Sequence, residues 1–259
     1  MTALYDLESK TIQELLNHRT IRAFKRDPID EATLAMLYET ANRAATSNGL
    51  QQFSMIRITD QAIREALADI SGQAYLATAP ELVVFIVDLY RNQKIAEYKG
   101  TSVIGGDTAD VFFQGFSDAL IAAQSLNAAA ESLGLGTVYF GSILNDVGRT
   151  IEILKLPTLT FPVVGLGMGI PDQMPASKPR LPLSEKLFEN TYERLELNLD
   201  ALSAYDEQMS QYADLRDPSR RLDAFSDQVV TKLSNVNENR QRLLNAVAKQ
   251  GFRLMIDAE

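Results

Sequence analysis

With one histidine and no cysteine, this chain has few side chains able to do chemistry or hold a charged ligand, and its notable basic residues fall in groups. His18, Arg19 and Arg22 share one short segment, and Lys178-Pro179-Arg180 stands in a proline-punctuated stretch. Arginine offers a planar donor fork that matches a phosphate, and flanking prolines fix the backbone, so two such groups could converge on one preorganised anion site. Taken alone, each group reads more readily as solvated surface charge.

The absences bound the chemistry further. Without cysteine there is no thiolate nucleophile, disulfide or iron–sulfur cluster. A Ser-His-Asp hydrolase would have to route everything through His18, and zinc sites built from several His or Cys ligands are excluded. Carboxylate chemistry or a borrowed cofactor is what remains. A net charge of −9 disfavours a polyanion-binding surface, so nucleic acid is not an expected partner. Met1 to Lys10 carries Asp6, Glu8 and Lys10, which leaves no signal-peptide core there, and no apolar run reaches the ~18 residues that span a bilayer. The expectation is a cytoplasmic protein with no membrane segment.

The glycines of Gly165-Leu-Gly-Met-Gly169 invite a dinucleotide-fold reading, but that fingerprint requires a helix to open directly after them and here Pro171-Asp172 follows. Close packing of a strand is the better reading. Thr46, Ser47 and Asn48, Gln73, and the strand-end pair Gly141-Ser142 could each contact a ligand, and each equally marks an ordinary turn.

These groups need elements to position them. Thr11-Ile-Gln-Glu14 has capping-box spacing and predicts a short helix to about His18. Asp30 reads as the N-cap of a helix to Arg43, and Asp60 as the cap of one ending near Ile70. Strands are expected at 53–58, 82–87, 137–140 and 161–166, and the wholly apolar 82–87 suits a strand in a sheet covered on both faces. A long helix from Asp107 to Leu133, ended by Gly134, has no charge between Ala119 and Ala130, so it must be central or at a subunit interface. Asp146 caps another short helix. Residues 199–259 are charge-rich and helical in spacing, which divides the chain into a domain at 1–198 and a helical extension at 199–259.

In this order the segments resemble the nitroreductase family, in particular its NADPH-preferring branch of oxygen-insensitive nitroreductases and flavin reductases. The branch's His-Arg-Ser-Ile-Arg segment corresponds to His18-Arg19-Thr20-Ile21-Arg22, and its Ser-rich loop to Thr46-Ser47-Asn48. Its Gly-Gly-Gln corresponds to Ser71-Gly72-Gln73, its Tyr-Ile-Gly-Gly to Tyr139-Phe140-Gly141-Ser142, and its Lys-Pro-Arg-Leu-Pro loop is reproduced at 178–182. The resemblance implies an α+β fold with a central mixed β-sheet sandwiched by helices, and a homodimer whose C-terminal extension embraces the partner. It implies noncovalent FMN held by His18, Arg19, Thr20, Arg22, Thr46, Ser47, Asn48, Gln73, Tyr139, Phe140, Gly141, Ser142, Lys178 and Arg180. NADPH would be the reductant, with Arg216 at its 2′-phosphate and Arg220 and Arg221 nearby. One departure stands out: Leu144 occupies the position where the branch carries an arginine, so a charge is missing there.

On this resemblance the flavin does the chemistry in a ping-pong cycle, with no catalytic side chain and small-molecule acceptors such as nitroaromatics, quinones or free flavin. Two other readings stay open. One is a different flavin enzyme of this fold, a dehalogenase or dehydrogenase with Tyr90 to Gly106 as a substrate lid; the other is a flavin-binding regulator without turnover.

Overall fold

The computed structural model describes residues 9–192, 198–212 and 222–255. Its first helix, α1 (Lys10–Leu16), starts before Thr11, with Ser9 at the N-cap and no side-chain cap bond. The expected capping box is therefore not formed, because Thr11 already lies inside the first turn. Asp30 does cap α2 (Glu31–Asn42), accepting from the Thr33 N–H at 2.9 Å, and Leu34, Leu37 and Ala41 turn inward. Asp60 likewise caps α3 (Gln61–Ser71), which is followed by the one-turn α4 (Tyr75–Thr78).

Among the described residues four strands make one sheet: β1 (Phe53–Arg57), β2 (Glu81–Asp88), β3 (Gly136–Phe140) and β4 (Thr160–Gly169), in the order β1-β2-β4-β3. All neighbours are antiparallel, with Phe53 opposite Val87, Val84 opposite Gly165 and Val138 opposite Gly167. The expected mixed sheet is thus corrected; the one parallel contribution at its edge among the described residues is an isolated bridge between Thr20 and Thr137. Apolar strands covered on both faces carry the same pattern whichever way they pair, so direction was not in the residues. Every residue of β2 from Glu81 to Val87 is buried, which confirms cover on both faces.

Between β2 and β3 run α5 (Tyr90–Tyr98) and the long α6 (Ala109–Ser132). Gly134, at φ 80°, closes α6: its N–H reaches the Glu131 carbonyl and the Leu135 N–H reaches Ala130, the paired bonds that satisfy orphan carbonyls at a helix end. One side of α6 buries Ala119, Ala122, Ala123 and Leu126, while Phe113, Leu120 and Ile121 stay exposed. Asp146 caps α7 (Val147–Ile153), and β4 extends past Leu166 to Gly169. The glycines inside it are packing devices, since a Cβ at Gly167 would stand 2.8 Å from the buried Phe140 ring.

The C-terminal helices are α8 (Leu199–Gln211), α9 (Phe225–Ser234), α10 (Glu238–Gln241) and α11 (Leu243–Lys249). Packing divides the chain elsewhere than at 198/199: one unit runs to Met174 and resumes at Asn237, and the other is Pro175–Val236. The resumed stretch belongs to the sheet's core through Val247 and Phe252, and the Gln250 amide donates to the Pro157 and Thr160 carbonyls at 2.9 Å each. No helix among the described residues is long and apolar enough to cross a membrane.

Candidate functional site

Residues 18–22 run along the edge of β3, held by the Thr20–Thr137 bridge and by the Ile21 N–H on the Thr137 carbonyl at 2.8 Å. Gly136 permits this approach, because a Cβ there would fall 2.7 Å from Ile21 side-chain carbons. His18 Nδ1 lies 2.7 Å from Glu131 Oε1, which also accepts from the Thr137 hydroxyl at 2.6 Å. A carboxylate only accepts, so the network places a proton on Nδ1. Glu131 stands in the last turn of α6, where the helix dipole disfavours an anion; two donors offset that cost.

His18, Arg19, Glu131, Gln173 and Met174 line a cavity of about 170 Å³, which Thr20 and Arg22 do not reach. Arg19 touches the Met174 sulfur at 3.7 Å through one terminal nitrogen. Its Nε and the Gln173 amide nitrogen are buried without hydrogen-bond partners among the described residues. Unmatched buried donors of this kind are costly and fit an anionic ligand such as a phosphate.

Thr46, Ser47 and Asn48 lie at the turn after α2, where Ser47–Gly49 forms a single 3₁₀ turn. The Ser47 N–H donates to Asp118 Oδ1 at 2.8 Å, and the Asn48 amide to Gln114 Oε1 at 3.3 Å. Gln73 follows the left-handed Gly72 that ends α3, and accepts from the Tyr75 hydroxyl at 2.5 Å. The Tyr75 ring packs 5.6 Å from that of Phe140, which ties Gln73 to the strand end.

At that end Tyr139 donates to Gln124 Oε1 at 3.1 Å, and burial, reinforced by the Glu131 charge, pushes its phenol well above the ordinary range. It therefore acts as a donor at any physiological pH. Gly141 and Ser142 open a 3₁₀ turn to Asp146, and the Ser142 hydroxyl is buried without a partner among the described residues. Leu144 is buried in the core. A cation reaches this turn from the far end of the chain instead: Arg240 on α10 donates to the Gly141 carbonyl at 3.0 Å and to Asn145 Oδ1 at 3.1 Å.

Lys178 and Arg180 belong to the other unit. There Arg180 donates to the Lys178 carbonyl at 2.8 Å, and the Tyr205 hydroxyl of α8 braces the same loop at the Pro179 carbonyl, 3.2 Å away. Arg216, Arg220 and Arg221 lie outside the described residues. The 90–106 stretch is helical only to Tyr98 and leaves Tyr98 and Ile104 exposed.

Sequence reasoning missed Asp118, Glu131, Gln114 and Arg240. The first two had a readable signal, since an acid within or at the end of an apolar helix is out of place unless a specific donor faces it. Arg240 had none, because its partner lies 99 residues earlier.

Known proteins match this chain in sequence and in fold. The nitroreductase family model matches residues 15–170 and the model of that family's C-terminal domain residues 178–255. An NADPH-dependent oxidoreductase of Staphylococcus saprophyticus is 38% identical over 242 residues, 92% of this chain and 96% of its own. An oxygen-insensitive NADPH nitroreductase of Salmonella typhimurium is also 38% identical, over 94% of this chain and 98% of its own. The solved structure of an NADPH:FMN oxidoreductase from Vibrio harveyi, complexed with NAD+, superposes with a TM-score of 0.83 at 34% identity, covering 94% and 99% of the two chains. With both family models matched along most of its length, this chain belongs to the nitroreductase family and is an oxidoreductase of that fold.

Proposed function

We propose that the protein is a homodimeric, NADPH-dependent flavin oxidoreductase that holds FMN noncovalently and reduces small acceptors such as nitroaromatics, quinones or free flavin. The observation that carries this is the set of buried, unmatched donors at two family motifs and beside one of them: Arg19 Nε, the Ser142 hydroxyl, and Gln173 Nε2 in the same cavity as Arg19. FMN, when bound, would supply a two-electron carrier between NADPH and the acceptor, as a ping-pong cycle requires.

The chain's own part is binding and electrostatics. His18, Arg19, Thr20 and Arg22, with Lys178 and Arg180, hold the phosphate end. Thr46, Ser47, Asn48, Gln73 and the Tyr139–Ser142 strand end hold the sugar and ring. Glu131 keeps the His18 ring oriented through Nδ1, as fixed carboxylate–histidine pairs do elsewhere. Arg216 meets the 2′-phosphate and sets the preference for NADPH over NADH. The exposed Phe113, Leu120 and Ile121 of α6 form part of the dimer contact, and α8 and α9, within the 199–259 extension, reach over the partner.

The test is direct. Flavin released from purified protein on denaturation should chromatograph as FMN, NADPH should bleach it faster than NADH, and a nitroarene or quinone should restore the colour. Arg180→Ala should weaken FMN retention by about 1.5–3 kcal/mol, the range for a hydrogen bond to a charged group. FAD in place of FMN, or flavin that NADPH leaves oxidised, refutes the proposal.

A further inference from the structure

Asp118 sits within α6 with none of its surface exposed, at the start of a stretch without another charge. A carboxylate in such a place is costly unless both oxygens find donors. Both do: Oδ1 accepts from the Ser47 N–H at 2.8 Å and Oδ2 from the Gln52 N–H at 3.2 Å. These two amides bracket a loop that turns through left-handed backbone at Asn48, Gly49 and Gln51, with φ of 53°, 67° and 51°. Asn48 and Gln51 carry a Cβ, so the conformation is strained and lasts only where the surroundings over-determine it.

The surroundings are two helices. On α6, Gln114 Oε1 accepts from the Asn48 and Gln52 side-chain amides at 3.3 and 3.0 Å. One residue on, Gly115 lets the loop lie against the helix, since a Cβ there would stand 2.7 Å from the Gln52 carbonyl oxygen. From α5, Asn92 donates to the Leu50 carbonyl at 3.0 Å and Arg91 donates to the carbonyls of Gln51 and Phe53. Amides are held from one helix and carbonyls from the other.

We infer that Asp118 is a positioning residue for the cofactor site: its carboxylate presets the 46–52 loop in its strained form, so that the loop does not have to order when flavin arrives. The inference rests on the reading that Thr46, Ser47 and Asn48 hold the flavin. Asp118 acts through two backbone amides and needs no contact with the ligand. An amide in its place keeps the volume and one acceptor but turns a donor toward the other N–H, so Asp118→Asn loosens one end of the loop.

The experiment uses holoprotein of Asp118→Asn and Gln114→Ala, with Leu126→Val as a control for core loss on the same helix. FMN dissociation constants and amide exchange across 46–53 are measured for each. Asp118→Asn should weaken FMN about tenfold and Gln114→Ala about threefold, as expected for loss of buried and exposed hydrogen bonds respectively. Exchange at Ser47 and Gln52 should rise in both, while Leu126→Val lowers the melting temperature with loop exchange and FMN affinity held. FMN binding unchanged in Asp118→Asn, or weakened with loop exchange unchanged, overturns the inference. Where Asp118→Asn does not fold, Gln114→Ala decides by the same criteria. Thr46→Ala separates the two levels: FMN binding insensitive to both Thr46→Ala and Asp118→Asn refutes the flavin reading of the loop, whereas sensitivity to Thr46→Ala alone refutes only the role of Asp118.

Discussion

The sheet-bearing unit and the 175–236 unit are held together by different means. The first encloses a continuous apolar core that runs from Leu34 in α2 through β2, α6 and β4 to Phe252. In the second, the buried apolar side chains among the described residues include Tyr205 and Met209, while Val229, Val230 and Leu233 of α9, and Val236 just after it, are exposed. What joins α8 and α9 is instead one hydrogen-bonded acid and one ring pair: Asp206 accepts from both the Ser226 N–H and its hydroxyl, and Tyr205 packs on Phe225 at 5.1 Å. The difference teaches that one region stands by its own burial, while the other leaves apolar surface exposed, the surface that the proposed dimer would cover.

The largest effect should come from breaking the first region's core. Leu37 is fully buried between α2 and its neighbours, and Leu37→Ala should cost about 2–5 kcal/mol, read as a lower midpoint of cooperative unfolding. Leu233→Asp should leave each folded chain nearly intact and lower the mass measured by light scattering from two copies toward one. An unfolding loss in Leu233→Asp that matches Leu37→Ala would erase the contrast, because α9 would then belong to a core of its own. A monomeric wild type would remove the second copy from the explanation.

A smaller effect tests how tight that first core is. Gly167→Ala would bring a methyl to 2.8 Å from Phe140, 3.2 Å from Ala79 and 3.3 Å from Val138, all buried. Overpacking of this kind should cost about 1–3 kcal/mol of stability. It should leave the NADPH KM unchanged, because the Gly-rich run is strand interior and not a nucleotide loop. A raised KM at wild-type stability would revive the dinucleotide reading.

Much of this was legible in the chain. The Asp30, Asp60 and Asp146 caps, the four strands and the end of α6 at Gly134 all follow from local chemistry that tertiary packing did not override. Strand direction was not legible, since a strand buried on both faces has no polar side to orient it. The site was half legible. Motif residues could be placed on their turns, and Asp118 and Glu131 stand out as acids on an apolar helix, but which turns they grip could not be read, because they act over 71 and 113 residues of sequence. Nor could the bonds of Arg240 to Gly141 and Asn145, for which Leu144 gave only a missing charge.

The smallest effect bears on the second region, where a hydrogen-bonded acid does part of what a core does elsewhere. Asp206 has its pKa lowered from the ordinary 3.8, first by the Ser226 hydroxyl and then by backbone N–H groups at the start of α9. A depressed folded pKa means the contribution is present in full above the unfolded value and is lost as pH falls through the folded one. The carboxylate is only half-buried, so the effect is modest: Ser226→Ala should lower the protection of α9 amides about two- to threefold at neutral pH, in line with the loss of one solvent-screened hydrogen bond to a carboxylate. The gap between variant and wild type should narrow as pH falls through the lowered pKa of Asp206, since both proteins then carry a protonated acid. The measurement is hydrogen exchange in α9, normalised to intrinsic rates, at pH 7 and at low pH. A gap that persists unchanged in acid would show that Ser226 acts as a plain helix-start residue, and that charge on Asp206 contributes nothing to holding α9 on α8.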